Sequence, residues 1–247
     1  KTPPERINAM RKIFLTIFAM SMIISCSSNI NSIDDAKNAM KEKYPNIKID
    51  SIEQVNNSFF EIIIQDQLYY LTSDFKHLIV GNVIDFETGD NLTENRLKNE
   101  RVKYLSNIND ENIIIYKPEE TKYIVTIFTD TSCPYCQKLH NEVDKLLLNN
   151  IEIHYVLFSR NGNDDDAYND MVSIWCSENQ KEALDKAFSN NFLETKTCEN
   201  PIADNYLKAR DLKVNGTPMI YMEDGSVIPG YVSSDKIMDA LSKIASR

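Results

Sequence analysis

The chain has 247 residues, enough for one large domain or two modest ones. Its hydrophobic content of 42% and charged content of 26% are those of an ordinary soluble globular protein. The net charge of -10 argues against a nucleic-acid-binding protein, because contacts with phosphates require clustered Lys and Arg. We therefore expect a globular protein with no nucleic-acid partner.

The N-terminus has the pattern of an export signal. Arg11 and Lys12 precede an apolar segment, residues 13–24, which is shorter than the roughly 20 residues that a membrane span needs. A buried helix is the alternative, but no face of this segment is polar. We interpret residues 1–25 as a signal peptide, in which the residues before Met10 are an upstream extension.

Cys26 stands where the signal peptide ends. The preceding Ile-Ile-Ser resembles the lipobox of bacterial lipoproteins, whereas a chance cysteine after an ordinary signal peptide is the alternative. Lipid on Cys26 would leave four of the five cysteines to pair. Because Ser27 and not Asp follows, the resemblance implies a periplasmic protein that is anchored to the outer membrane by a lipid on Cys26.

Residues 26–90 are predicted to form a small α+β domain. Residues 33–44 have the pattern of a short helix with acidic residues in its first turn. Short segments rich in aromatic and β-branched residues predict four strands, which begin at Phe59, Leu68, Lys76 and Asn82. Such a unit has a small core and often completes itself against a partner.

Residues 91–111 are predicted to be a helical linker. The segment 92–108 is strongly charged and has few apolar positions. A helix that is polar nearly all round is typical of one that bridges domains through solvent.

Residues 112–247 alternate between strand and helix patterns. The predicted strands are 113–118, 123–129, 151–158, 218–223 and 226–229, and the predicted helices are 133–148, a helical region at 165–189, 203–213 and 233–246. A βαβ unit followed by a hairpin and a helix, with a helical insert, indicates a central sheet that is covered by helices.

Cys133 and Cys136 form a C-x-x-C pair directly after an apolar strand pattern. A zinc site normally needs a second close pair, which Cys176 and Cys198 do not provide, so we expect no metal and no cofactor. A structural bridge across two residues removes little chain entropy, whereas one between Cys176 and Cys198 would contribute roughly 3 kcal/mol. The close pair is therefore predicted to be a redox centre.

The position of the pair supplies a mechanism for that reading. Cys133 falls where a strand passes into a helix, so that unpaired N–H groups and the positive end of the helix dipole stabilise its thiolate. Pro134 is tolerated in the first turn of the helix. Cys136, one turn later, is predicted to be more buried and to resolve mixed disulfides.

Four segments, residues 76–89, 113–140, 174–176 and 214–231, form a joint pattern, and the second of them contains TSCPYCQKLH. On these segments the chain resembles the periplasmic DsbC/DsbG family of thiol:disulfide interchange proteins. It implies a homodimer of an N-terminal dimerisation domain, a helical linker and a C-terminal thioredoxin-like domain. It also implies that Cys133 is the nucleophile, Cys136 the resolving thiol and Cys176–Cys198 a structural disulfide.

Two further features follow from this resemblance. Thr217-Pro218 matches the family's Thr and cis-proline facing the active site, which implies that the Thr217 backbone binds an extended substrate. Between the cysteines, Pro-Tyr resembles the DsbG branch, whereas the DsbC branch commonly has Gly-Tyr.

Thioredoxins place a buried acid six residues before the first cysteine, where this chain has Ile127. Asp130 and His140 are the nearer polar candidates for proton transfer. We expect instead that Asp130 is a solvated loop acid and that His140 lies on a helix surface.

The predicted function is isomerisation or reduction of non-native disulfides in misfolded exported proteins. By resemblance, a DsbD-like membrane reductase keeps the protein reduced. A disulfide-donating oxidant and a holdase chaperone with secondary redox activity are the alternatives. The extra N-terminal domain favours the first function, because the simpler oxidants lack it.

Overall fold

The computed structural model describes residues 31–65, 67–160, 162 and 166–245. The predictions for the signal peptide and for Cys26 lie outside these residues. The chain divides into two compact units, of which the first ends at Gly81 and the second begins at Asn82. No helix within the described residues is long and apolar enough to cross a membrane.

The first unit is one helix on a four-stranded antiparallel sheet with the strand order β1-β2-β3-β4. Its elements are α1 (Ile33–Lys43), β1 (Ser51–Gln54), β2 (Phe59–Ile64), β3 (Gln67–Thr72) and β4 (Leu78–Ile79). The hydroxyl of Ser32 accepts a hydrogen bond from the N–H of Asp35, whose carboxylate accepts one from the Ser32 N–H, and this capping box begins α1. The core is small, with Met40 of α1 packed on Phe60 and Ile62 of the sheet.

The structure differs from the strand predictions in this region at two places. The strand predicted from Asn82 is wrong: that segment forms only a single bridge, between Ile84 and Asn91. The Asp85 carboxylate accepts hydrogen bonds from the N–H groups of Glu87 and Thr88, and this local turn competes with a strand. Conversely, β1 has no counterpart in the predictions, because its sequence, SIEQ, has a single apolar side chain and lies at an edge of the sheet.

The second unit has a five-stranded sheet in the order β5-β7-β6-β8-β9, in which β6 and β7 are parallel. Its strands are β5 (Ile114–Tyr116), β6 (Tyr123–Thr129), β7 (Ile151–Leu157), β8 (Met219–Met222) and β9 (Val227–Pro229). Its helices are α2 (Leu92–Ser106), α3 (Pro134–His140), α4 (Val143–Leu147), α5 (Asp166–Trp175), α6 (Gln180–Phe188), α7 (Ile202–Asp211) and α8 (Ser234–Ala245). Alternate side chains of β6 enter two cores: Ile127 faces one cluster and Phe128 the other.

The predicted helix 133–148 is in fact two helices, α3 and α4. The break lies at Asn141 and Glu142. The Glu142 carboxylate accepts hydrogen bonds from the Tyr231 hydroxyl and from the N–H of Ser234 at the start of α8. This contact, with residues far along the chain, fixes Glu142 at the point where the predicted helix is interrupted.

Helix α2, the predicted linker, is part of the second unit and packs on its turn between β8 and β9 rather than lying entirely in solvent. Lys98 Nζ lies 2.9 Å from Asp224 Oδ2, and an Arg101 guanidinium N–H donates to the Gly225 carbonyl at 3.1 Å. Gly225 has a φ of +79°, and a Cβ there would collide with the Lys98 backbone. The turn between β8 and β9 is therefore shaped to admit this helix.

Candidate active site

The C-x-x-C motif follows β6, a central strand whose end is held by β7 and β8. Directly after β6 comes Asp130, whose carboxylate is completely buried. It accepts a hydrogen bond from the Ser132 N–H at 2.8 Å and one from Arg160 Nε at 2.9 Å. The expectation of a solvated loop acid is therefore wrong, because pairing with Arg160 compensates the cost of burying the carboxylate.

The two motif cysteines occupy the first turn of α3. Cys133 is the N-cap residue, Pro134 is the first helical residue, and the Cys133 carbonyl accepts the Gln137 N–H at 3.1 Å. Both cysteines are free thiols, and Cys133 is 3% exposed and Cys136 1% exposed. The strand-to-helix placement expected from the sequence is present, with the second thiol slightly deeper than the first.

The loop that precedes β8 lies against the first thiol. Its Thr217-Pro218 peptide bond is cis. The Cys133 thiol donates a hydrogen bond to the Thr217 carbonyl at 3.3 Å, although the two residues are 84 positions apart. The antiparallel pairing of β8 with β6 brings the two segments together.

The surroundings of Cys133 favour its thiolate. Burial raises the pKa of Cys133, but hydrogen bonds from the Thr217 side chain and from the N–H groups of Cys136 and Tyr135 outweigh it, so that the pKa is lowered. The Thr217 hydroxyl is buried and has no hydrogen-bond partner among the described residues while the cysteines are thiols. Ionisation of Cys133 would give this hydroxyl an acceptor.

The surroundings of Cys136 favour its thiol. Burial raises the pKa of Cys136 to about 12, although the Thr129 hydroxyl, the Asp130 N–H and the Thr217 side chain each oppose that rise. The two sulfur atoms therefore differ in the state that their environments stabilise. The thiolate is the form of cysteine that attacks a disulfide, so the two environments differ in how far each sulfur is prepared for attack.

Arg160 is a residue of this site that sequence reasoning missed. Its hydrogen bond to Asp130 raises the pKa of Arg160, and its charge interacts favourably with both cysteine thiolates. Arg160 follows β7, which is parallel to β6, so the carboxyl ends of the two strands place it beside the motif. The parallel pairing of these two strands, which the βαβ pattern predicts, was the one signal in the sequence that could have located Arg160.

His140 is largely covered rather than on the helix surface, and that expectation is wrong. Its side chain is 9% exposed. Its Nδ1 lies 3.3 Å from the Tyr155 hydroxyl and its Nε2 lies 2.9 Å from Asp185 Oδ1. Burial lowers the pKa of His140, while the hydrogen bond with Asp185 opposes that shift.

The other two described cysteines are joined to each other. Cys176 and Cys198 form a disulfide with a Cα–Cα distance of 5.7 Å. Cys176 follows α5, and Cys198 lies in the segment between α6 and α7. The bond thus ties together the helical insert rather than the redox motif.

Within the described parts of the chain, no group of three or more His, Cys, Asp or Glu side chains could hold a metal ion. The close cysteine pair is accompanied by donors for a thiolate, namely N–H groups, hydroxyls and a guanidinium. Such a site can carry out nucleophilic attack by sulfur on sulfur.

Comparison with known proteins agrees with the two-unit architecture. Residues 28–94 match the family model of the disulfide bond isomerase protein N-terminal domain, and residues 110–245 match that of a thioredoxin-like domain. The thiol:disulfide interchange protein DsbC of Dickeya dadantii is 30% identical over 230 residues, which cover 91% of this chain and 94% of that protein. The chain belongs to the DsbC family.

Two further comparisons concern the family and the fold. DsbC of Escherichia coli K12 is 28% identical over 92% of this chain and 95% of that protein. A disulfide interchange protein of Neisseria gonorrhoeae shares the fold, with a TM-score of 0.50 and 22% identity over 55% of this chain and 97% of that one. As a DsbC-family member with a thioredoxin-like domain, the chain is a thiol:disulfide oxidoreductase and disulfide isomerase.

Proposed function

We propose that Cys133 is the attacking thiol of this disulfide isomerase and that Cys136 resolves the product. The lowered pKa of Cys133, beside a pKa of about 12 for Cys136, is the observation that carries this assignment. The attacking species is the thiolate, so the sulfur with the lower pKa reacts first. The position of Cys133 at the N-terminal end of α3 supports the same order.

The exchange proceeds by two displacements at sulfur. The Cys133 thiolate attacks one sulfur of a substrate disulfide, that S–S bond breaks, and the other substrate sulfur leaves as a thiolate that takes a proton from solvent. In isomerisation, a substrate thiolate then attacks the mixed disulfide and releases Cys133 unchanged. In reduction, Cys136 attacks Cys133, releases the reduced substrate and leaves a Cys133–Cys136 disulfide.

Thr217 and Pro218 are proposed to hold the substrate beside Cys133. The Thr217 carbonyl already contacts the Cys133 thiol, so a chain that reaches this sulfur also reaches the Thr217 backbone. Tyr135 lies between the cysteines and is 62% exposed, which offers an aromatic surface next to the reacting atoms. Cys176–Cys198 is proposed to be structural and to take no part in exchange.

We further propose a homodimer that acts on misfolded, disulfide-containing exported proteins in the periplasm. The match of residues 28–94 to an isomerase N-terminal domain and the small core of the first unit support a dimer built by that unit. Each cycle that ends in reduction oxidises the pair, so turnover requires a reductant, for which we propose a DsbD-like membrane reductase. Sedimentation of the mature protein tests the dimer, and a monomer would contradict it.

Lipid on Cys26 and anchoring at the outer membrane remain predictions from the sequence. Fatty-acid labelling of the protein in its host, compared with a Cys26→Ser variant, tests them. Label that stays in the variant, or none in the wild type, would contradict them.

Refolding of a protein with scrambled disulfides tests the proposed function. The wild type should restore native activity to that substrate, and Cys133→Ser should abolish the effect. Cys136→Ser should accumulate a mixed disulfide that Cys133→Ser cannot form. Restoration by Cys133→Ser, or an enzyme that only oxidises dithiols, would reject the assignment.

A further inference from the structure

Lys138 is an exposed cation on α3, the helix that carries the C-x-x-C pair. Its ammonium Nζ lies over the ring of Tyr231, 4.5 Å from the ring centroid. None of the ion pairs among the described residues includes Lys138. Its charge is therefore held in place by an aromatic face, which leaves the ammonium open to a carboxylate from outside the chain.

Tyr231 belongs to the same side of the site as the cis-proline loop. The N–H of Gly230, the residue before Tyr231, donates a hydrogen bond to the Pro218 carbonyl at 2.8 Å. The Thr217 carbonyl, one residue earlier in that loop, accepts the Cys133 thiol at 3.3 Å. Residues 217–218 and 230–231 therefore line the site opposite α3, and the two sides meet at the reactive sulfur and again at the ammonium.

The distance from Cys133 to Lys138 suits a substrate chain that is bound at the sulfur. Lys138 is the fifth residue after Cys133, which corresponds to an axial rise of about 7.5 Å in a helix. Successive residues of an extended chain are about 3.3 Å apart. An extended substrate whose cysteine reaches Cys133 and the Thr217 backbone therefore brings a side chain one to three residues from that cysteine within reach of the ammonium.

Two carboxylates on neighbouring elements have other partners. The Glu142 carboxylate, four residues after Lys138, accepts the Tyr231 hydroxyl and a backbone N–H of α8, the latter at 2.7 Å. Asp235 Oδ1, on α8, lies 2.8 Å from Lys145 Nζ. The Tyr231 ring thus holds the ammonium while the Tyr231 hydroxyl occupies Glu142, so the charge of Lys138 is not used within this group.

We propose that Lys138, held by the ring of Tyr231, makes the protein prefer disulfides that have a carboxylate one to three residues from the substrate cysteine. This inference rests on the proposed role of Cys133 and names the class of substrate that Cys133 attacks best, a disulfide flanked by Asp or Glu. The net charge of -10 disfavours anionic ligands in general. A preference for acidic flanks therefore has to come from a local cation and not from the charge of the whole chain.

Three blocked peptides that differ only in charge test this preference. They have the sequence Gly-Xaa-Cys-Xaa-Gly, with Glu, Gln or Lys at both Xaa positions, and each is used as its disulfide-linked dimer. An excess of the reduced protein cleaves each dimer in a single turnover, and chromatography measures the peptide thiol that is released. The ratio of the rate with the Glu peptide to the rate with the Gln peptide reports the preference, because a change in the reactivity of Cys133 alters both rates alike and cancels.

Lys138→Gln should lower that ratio by about two- to fivefold at low ionic strength, which is the size of effect that one charge has on another a few ångström away in water. The difference from the wild type should shrink as salt is added, since both charges are exposed. Lys138→Glu should lower the ratio further and raise the relative rate with the Lys peptide. Tyr231→Leu, which removes the ring under the ammonium, should also lower the ratio, and a ratio at the wild-type value would overturn the role assigned to that ring.

Lys122→Gln is the matched control. Lys122 Nζ also lies over a tyrosine ring, 5.0 Å from the centroid of Tyr123, but at the opposite end of β6 from the motif. This variant should keep the wild-type ratio. An unchanged ratio in Lys138→Gln, an equal fall in Lys122→Gln, or equal slowing with all three peptides in Lys138→Gln would overturn the proposal. Cleavage by Cys133→Ser would instead contradict the proposed function, whatever the result for Lys138.

Discussion

The two cysteine pairs of the second unit share a chemistry but not an environment. Cys133 and Cys136 are free thiols although both are buried, whereas Cys176 is half-buried, Cys198 is exposed, and these two are joined. Exposure alone would therefore favour Cys176 and Cys198, and not the C-x-x-C pair, as the reactive cysteines. What distinguishes the first pair is the set of donors around its sulfur atoms.

Loop length separates the pairs as well. The Cys176–Cys198 bond closes a sequence separation of 22, whereas the motif cysteines are within one helical turn. In the chain-entropy model a long loop stabilises the fold and a very short one does not. One pair is thus suited to holding the insert and the other to changing its redox state.

Removal of the Cys176–Cys198 bond should have the largest effect on stability. Replacing both Cys176 and Cys198 by Ser should lower the free energy of unfolding by about 3 kcal/mol, because the unfolded chain regains loop entropy. The pKa of Cys133 should not change. Urea unfolding and the pH dependence of alkylation measure the two quantities. A shifted Cys133 pKa would show that the pairs are coupled.

Removal of one hydrogen-bond donor beside the C-x-x-C pair should have the opposite effect. It should change the pKa of Cys133 more than the free energy of unfolding. Thr217→Val deletes the hydroxyl that helps to lower the pKa of Cys133 while keeping the size of the side chain. A hydrogen bond to a charged group contributes about 1.5–3 kcal/mol, so the Cys133 pKa should rise by about one to two units. Thr217→Ser, which retains a hydroxyl, is the control. An unchanged alkylation profile in Thr217→Val would remove the hydroxyl from the explanation.

Loss of the charge of Arg160 should produce a smaller shift in the same direction. Arg160→Gln should raise the Cys133 pKa by less than about one unit, because the side chain is 38% exposed and water screens its charge. Arg160→Lys, which keeps the charge, should stay closer to the wild type. An equal shift in both variants would mean that the guanidinium geometry matters and its charge does not.

Local patterns were sufficient for the parts of this site that are close in sequence. The strand before Cys133, the helix after it and the spacing of the two cysteines all lie within a few residues, so their arrangement follows from the sequence. Arg160 reaches Asp130 only through the pairing of β6 with β7, and Asp185 reaches His140 only through the packing of α6. The buried states of Asp130 and His140 depend on these distant partners, which explains why both were expected at the surface.

The fold shows the same division between local and distant causes. The βαβ unit and the final hairpin were predictable from alternating patterns, and the parallel pairing of β6 with β7 is present. The break between α3 and α4 was not, because it depends on Tyr231 and Ser234, which hold Glu142 from a distant part of the chain. The apolar periodicity of a sequence does not indicate such hydrogen bonds between a helix residue and distant residues.

The smallest expected effect is on the pH dependence of stability, and it depends on His140 in the helix that carries the C-x-x-C pair. Burial lowers the folded-state pKa of His140 below its ordinary value of 6.5, so the unfolded chain binds more protons between the two values. The stability that neutral His140 provides is complete above pH 6.5 and is lost as the pH falls toward the lowered pKa. Urea unfolding between pH 7.5 and about pH 5 should show this decline in the wild type and less of it in His140→Gln.

Asp185→Asn provides a second test by the same measurement, urea unfolding as a function of pH. The Asp185 carboxylate opposes the effect of burial, so its loss should lower the His140 pKa further and extend the decline to lower pH. The bridge between Cys176 and Cys198 does not titrate, so replacing it should shift the whole stability curve without changing its slope. A slope that is the same in the wild type, His140→Gln and Asp185→Asn would mean that His140 does not govern the decline. The burial of His140 would then have no consequence for the pH dependence of the stability.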